Sequence, residues 1–208
     1  MRTTFIIDGF NLYHSVVQAS DDLGGVSTKR LNIRSLCESY LHMLSPNHKL
    51  GKIYYFSALA THKSPNTVAK HLEFIKCLRE TGIIVELARF KEKTIECKHC
   101  HRIMIKHEEK ETDVSIGLKL FEIFKQGECE TAALMTGDTD IAPAVRMVRK
   151  YYPNGEIGFL FPYKRKNKEL AQIANFSRNI KKERYLQYQF PDPFVLSDST
   201  SIKKPVSW

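Results

Sequence analysis

Apolar positions along the chain keep two alternating rhythms. Short β-rich runs at 3–7, 52–58, 83–87, 131–135 and 156–161 are separated by stretches whose apolar residues recur at helical spacing. The helical pattern predicts a first helix over 11–17, closed by Asp21-Asp22-Leu23-Gly24-Gly25. It predicts a second over 32–44, with Ile33, Leu36, Tyr40 and Met43 or Leu44 on one face and Ser45-Pro46-Asn47 as its stop. Ser64-Pro65-Asn66 opens a third, carrying Val68, Leu72, Ile75 and Leu78, and Gly82 ends it. From Thr112 the pattern returns with Val114, Leu118, Phe121 and Phe124, and again over 142–150. A final helix is expected over 169–175, then a polar, Pro-containing tail lying on the surface or mobile.

Strands alternating with helices through short links predict an α/β fold with a parallel, doubly wound sheet of about five strands flanked by helices. One stretch breaks the rhythm. Residues 89–110 are charged and carry Cys97, His99, Cys100, His101 and His107, and they read as a protruding hairpin or loop inserted in a single domain over 1–190. The tail covers 191–208.

Candidate chemistry gathers where strands end. The fourth run leads into Thr136-Gly137-Asp138-Thr139-Asp140, which places two carboxylates at the carboxyl end of a strand, the position where open α/β sheets bind ligands. Asp8 closes the first run, with Asn11 three residues on, and Asp113 sits in the first turn of the helix leading to the fourth. If strands one and four are neighbours, all four acids approach one crevice. Four carboxylates in one place point to a divalent cation, whereas Asp138 or Asp140 alone also suits a helix cap.

Charge sharpens this picture. The chain has 208 residues, 32 Lys plus Arg against 23 Asp plus Glu, and a formal charge of +9. Between Arg146 and Arg184 there are eleven basic residues and three acidic ones, so most of the excess lies just after the carboxylate turn. A basic region beside an acidic pocket suits a polyanion gripped by its backbone, although a solvated lysine-rich surface has the same composition. No run approaches the roughly 18 apolar residues of a membrane span, and no charged-then-apolar leader precedes the first strand, so a cytoplasmic protein is expected. Five cysteines, an odd number, argue against a disulfide framework. Cys37, Cys77 and Cys129 fall in or beside helical patterns and read as small core residues. Cys97-x-x-Cys100 has zinc-knuckle spacing, and a closed structural Zn²⁺ site would need His101 or His107, or a second pair from elsewhere in the fold or from another subunit; a metal-free hairpin with reduced thiols is the alternative.

Three segments taken together, Phe5-Ile6-Ile7-Asp8-Gly9-Phe10-Asn11, Glu109-Lys110-Glu111-Thr112-Asp113-Val114 and Thr136-Gly137-Asp138-Thr139-Asp140, resemble in order and spacing the motifs of the NYN domain family. That family is a branch of the PIN-like nucleases, and the resemblance is to its LabA-like bacterial branch. The resemblance covers roughly residues 3–177 and extends to the closing Lys204-Pro205-Val206-Ser207-Trp208. It implies a PIN-like, Rossmannoid three-layer fold with strand order 3-2-1-4-5 and a Mg²⁺- or Mn²⁺-dependent ribonuclease. Asp8, Asp113 and Asp138 would be the metal carboxylates, Asp140 would complete the site directly or through water, and Asn11 would orient a ligand or the RNA. Lys110, Arg146, Lys164, Arg165, Lys166 and Lys168 would hold flanking phosphates.

Tyr13 and His14 either stack on an unpaired base or pack as the buried face of their helix. A non-catalytic RNA-binding module would keep the same fold and charge. A phosphatase of the haloacid dehalogenase type also ends a strand in Gly-Asp, but it wants acids where this chain has Phe10 and Ala142. No Gly-x-Gly-x-x-Gly comes after the first strand, which sets aside a dinucleotide cofactor. Whether the protein is a monomer or a homodimer is left open by the sequence.

Overall fold

The structure, a computed structural model, describes residues 1–44, 47–96 and 98–205. In chain order the elements are β1 (Arg2–Asp8), α1 (Gly9–Asp22), α2 (Ile33–Leu44), β2 (Lys49–Ala58), α3 (Pro65–Glu80), β3 (Ile84–Glu96), β4 (Ile103–Lys110), α4 (Thr112–Lys125), β5 (Thr131–Met135), α5 (Ala142–Tyr151), β6 (Glu156–Phe161), α6 (Lys168–Ile173), β7 (Phe176–Asn179), α7 (Lys182–Gln187), β8 (Phe194–Val195) and β9 (Ser201–Ile202). A single 3₁₀ turn, Thr139–Ile141, leads into α5.

The main sheet runs β4-β3-β2-β1-β5-β6-β7. Its middle five strands are the five expected ones in the expected order, all parallel. Two strands flank them. β4 is the antiparallel return of the hairpin that is one of the two expectations for 89–110, and β7, which was not foreseen, adds a parallel edge beyond β6.

Strict alternation along the strands divides the sheet's faces. Phe5, Ile7, Ile53, Tyr55, Ala133, Met135 and Leu160 face α1, α2, α3 and α7, whereas Ile6, Tyr54, Phe56, Leu134, Phe159 and Phe161 face α4, α5 and α6. The result is a three-layer α/β/α arrangement, which buries the central strands on both faces and explains why they read as continuous apolar runs. Cys37, Cys77 and Cys129 are buried in it.

Three local expectations are corrected. In α4, Val114 and Leu118 are exposed while Ile116, Leu120, Ile123 and Phe124 pack inward. That helix is apolar on both sides, so periodicity could not choose its face. The helix at 168–173 is not the last one, because α7 comes after it and buries Tyr185 beneath α1; the Tyr185 hydroxyl bonds Ser15 Oγ at 2.9 Å and accepts the Tyr163 N–H at 3.1 Å. α1 also continues to Asp22. The β8–β9 hairpin packs Phe194, Leu196 and Ile202 onto the α1–α3 side. Asp192 meets the buried Arg30 there at 2.8 Å, and Ser197 N–H donates to Glu80 at the carboxyl end of α3, away from the carboxyl edge of the sheet. Residues 206–208 of the closing motif lie outside the described residues.

Candidate metal and nucleic-acid site

Because β1 and β5 are direct neighbours, pairing Ile7 with Met135, the two chain reversals at their carboxyl ends meet at one crevice. Asp8 ends β1 and caps α1, its Oδ1 accepting the Asn11 N–H at 2.9 Å. Its Oδ2 accepts the Thr136 hydroxyl at 2.9 Å, and Thr136 Oγ1 in turn accepts the Asp138 N–H at 3.1 Å. One hydroxyl therefore links the two carboxylate-bearing loops. Asn11 Oδ1 ties them a second time by accepting the Gly137 N–H at 3.2 Å. Asp138 caps the 3₁₀ turn through the Asp140 N–H at 3.1 Å, so the capping role expected for it is real and leaves its other oxygen free for further contacts.

Asp8 is 6% exposed, whereas Asp113 and Asp140 open toward solvent. Burial pushes the Asp8 carboxyl above its ordinary range, the Asn11 and Thr136 bonds pull against that, and Asp138 adds repulsion. Asp113 is raised by desolvation first, then by Asp138, Asp8 and Asp140. Asp113 thus feels the other three acids, and Asp8 feels Asp138.

A fifth carboxylate escaped the sequence reading. Glu109, near the end of β4, accepts the Thr112 hydroxyl at 2.6 Å, and its carboxyl is raised by burial and then by Asp8 and Asp113. It opens the second of the three motif segments, but only the alternation of the hairpin turns it inward together with His107 and its cross-strand partner Phe90. Thr136 was missed in the same way. Tyr55 lies beneath the crevice, where a Cβ on Gly9 would collide with its ring.

Among the described residues no three His, Cys, Asp or Glu side chains converge closely enough to enclose an ion unaided. The donor set is nevertheless all oxygen, crowded and mutually repelling. That fits a hard divalent cation which keeps several waters and takes only a few carboxylates.

The basic residues divide. The 164–168 loop lies directly on the carboxylate turn, since a Cβ at Gly137 would collide with the Arg165 carbonyl; Arg165, Lys166 and Lys168 are exposed there. Lys164 is turned away, bound to Asp22 at 2.6 Å. Lys110 pairs with Glu108 at 2.9 Å on the outer face of the hairpin, and Arg146 lies 3.6 Å from Glu169. Tyr13 and His14 are exposed on α1, so the packed alternative for them does not hold.

Of the residues considered for zinc, His107 is set apart from the others. His107 sits four residues into β4, roughly 13 Å from the hairpin tip at about 3.3 Å per residue, and stacks on His62 instead. Cys100 and His101 remain at the tip, where His101 Nδ1 lies 2.5 Å from Glu96, and Cys97 lies outside the described residues.

Comparison with known proteins agrees with this architecture. Over its whole length the chain is 25% identical to a protein named 6-hydroxy-3-succinoylpyridine 3-monooxygenase HspA, from Pseudomonas putida, and spans 75% of it. It superposes on a protein of unknown function from Vibrio parahaemolyticus with a TM-score of 0.56 at 16% identity, covering 86% of this chain and 93% of that one, a likeness of fold alone. No helix among the described residues is long and apolar enough to cross a membrane. The NYN domain model matches residues 2–178, a span that contains the whole carboxylate crevice and the strands that build it; the chain therefore belongs to the NYN domain family, with its PIN-like nuclease fold.

Proposed function

We propose that this protein is a divalent-metal-dependent ribonuclease that hydrolyses RNA phosphodiester bonds at the crevice between the ends of β1 and β5. The observation that carries the reading is the meeting of Asp8, Glu109, Asp113, Asp138 and Asp140 at one edge of the sheet, with raised carboxyls at three of them. Acids this crowded are costly to leave without a counter-charge. Mg²⁺ or Mn²⁺, when bound, would supply acidified water and offset charge on the scissile phosphate.

The chain's own residues divide the remaining work. Asp8 is held by the Asn11 N–H and the Thr136 hydroxyl, so it meets a ligand without having to reorganise. Asp138 is fixed by its place in the 3₁₀ turn, while Asp113 and Asp140 line the mouth on the solvent side. Asn11 sets the separation of the two loops through Gly137. Arg165, Lys166 and Lys168 stand over the same turn and are suited to the phosphates on either side of the cut.

The test is cleavage of labelled single-stranded RNA, hairpin RNA and single-stranded DNA with Mg²⁺, Mn²⁺ or EDTA. RNA cleavage that needs the ion and is lost in Asp8→Asn and Asp138→Asn supports the reading; salt-dependent binding without cleavage favours a regulatory RNA-binding protein. A second reading comes from the monooxygenase relative, whose match runs the length of this chain. Oxygen uptake with 6-hydroxy-3-succinoylpyridine and a reductant, without any RNA cleavage, would replace the nuclease by that activity.

A further inference from the structure

Beside the crevice a line of rings crosses the surface, drawn from three separate segments. Tyr13 and His14 lie 5.8 Å apart between centroids on α1, and His14 meets Phe10 edge-on at 4.7 Å. Phe10 reaches Phe90 on β3 at 6.3 Å, and Phe90 reaches His62, in the β2–α3 connection, at 4.8 Å. His62 then stacks on His107 of β4 at 3.9 Å with only 12° between the planes. Phe10 is 41% and Tyr13 51% exposed and His14 is open to solvent, whereas Phe90, His62 and His107 are half-buried, so the line lies at the surface and outside both hydrophobic cores.

Phe10 in this line lies two residues after Asp8, and Phe90 is the cross-strand partner of Glu109, so the line adjoins the carboxylates at two points. His62 Nδ1 is buried without a hydrogen-bond partner, which leaves an unmet polar atom within the line. The hairpin carrying its far end bears seven basic and four acidic residues over 89–110.

We propose that these rings form a stacking track for consecutive unpaired bases on one side of the cut, with the 89–110 hairpin as the arm that holds the strand. Every base has a π-face, so a row of surface rings beside basic side chains grips a single strand with little regard to sequence. A duplex keeps its bases stacked on one another and has none to offer. The substrate class is therefore single-stranded RNA that extends past the cut toward the hairpin. This rests on the ribonuclease reading for the identity of the polymer, and the experiment separates the two.

Binding of a fluorescent 12-nucleotide RNA, single-stranded or as a blunt duplex, is measured by anisotropy in EDTA, where no cleavage can occur. Wild type is compared with Phe10→Leu, Phe90→Leu, His62→Ala and Phe10→Trp. The single strand should bind at least about 10-fold more tightly than the duplex. Each loss of a ring should weaken it roughly 5- to 100-fold, and Phe10→Trp should keep or improve it.

Equal affinity for the duplex, or Leu variants that bind as wild type does, would overturn the track even if the enzyme cuts RNA. Ring-dependent binding without cleavage in Mg²⁺ or Mn²⁺ would keep the track and remove the nuclease. Competition by 6-hydroxy-3-succinoylpyridine at these rings, with no RNA binding, would overturn both. Circular dichroism of each variant tells a lost ring from a lost fold.

Discussion

At the amino end of the sheet, Glu130 accepts the Arg2 N–H and Glu128 takes both Lys52, at 2.8 Å, and the Tyr54 hydroxyl. At the carboxyl end, Asp8, Glu109 and Asp113 face one another, and the groups that bond Asp8 and Glu109 are hydroxyls and a backbone N–H rather than Lys or Arg side chains. The same functional group is held below its ordinary range in Glu130, by the Arg2 N–H first, and above it in Asp8, Glu109 and Asp113, by burial first. At the amino end a carboxylate meets a cationic side chain. In the crevice Asp8 and Glu109 accept neutral donors and face other acids, an arrangement that suits a bound cation.

The largest way to break this contrast is to neutralise one crevice acid. Asp138→Asn should lower metal-dependent RNA cleavage at least about 100-fold, since ion-mediated charge stabilisation is worth several kcal/mol, measured as single-turnover rate against ion concentration. Removing a support rather than an acid should cost less. Thr136→Val takes away the hydroxyl shared by Asp8 and the Asp138 N–H, and the expected loss is about 10- to 100-fold, chiefly in apparent ion affinity.

Stability effects are smaller and separate the two kinds of position. Tyr185→Phe, remote from the acids, should cost about 1–2 kcal/mol in urea unfolding by leaving Ser15 Oγ and the Tyr163 N–H with one partner fewer, and should leave the ion dependence of cleavage unchanged. Asp138→Asn should do the reverse, raising the ion-free melting temperature by about 1–3 °C at pH 7.5 through relief of repulsion on Asp113 and Asp8.

That gain has a definite pH dependence. Raised carboxyls contribute their stability below the ordinary carboxylate range of about pH 4 and lose it as pH rises through their folded values. The melting-temperature advantage of Asp138→Asn should therefore close in acid, and Mg²⁺ should raise the wild-type melting temperature at pH 7.5 more than at pH 4.5. Asp192→Asn keeps an acceptor but loses the charge that the Lys204 N–H and Arg30 stabilise, and should lower the melting temperature at neutral pH, with the deficit closing as pH falls.

The parallel core was legible in the sequence because burial on both faces writes itself as short apolar runs, and β5 and β6 are found at the expected residues. Asp8, Asp113, Asp138 and Asp140 were legible because chain reversals after strands place polar residues at fixed offsets. The chain beyond Ile173 was not legible in this way. β7 and α7 are short and mostly polar outside, and only the packing of Tyr185 beneath α1 gives them a reason to form. The inward face of α4 was chosen by the sheet and α5, since the helix offers apolar residues on both sides.

The sequence alone determined the alternation of strands and helices, the carboxylates at their junctions and the sign of the charge beside them, all of which are local patterns of residue type. Only the tertiary structure decided which groups meet. It set β1 beside β5, turned Glu109 and His107 to the same side of the hairpin, laid Arg165 on Gly137, and joined rings from α1, the β2–α3 connection and the hairpin into one line. Those contacts join residues up to 128 positions apart, as between Thr136 and Asp8, and they depend on register and crossover rather than on any neighbour in the chain.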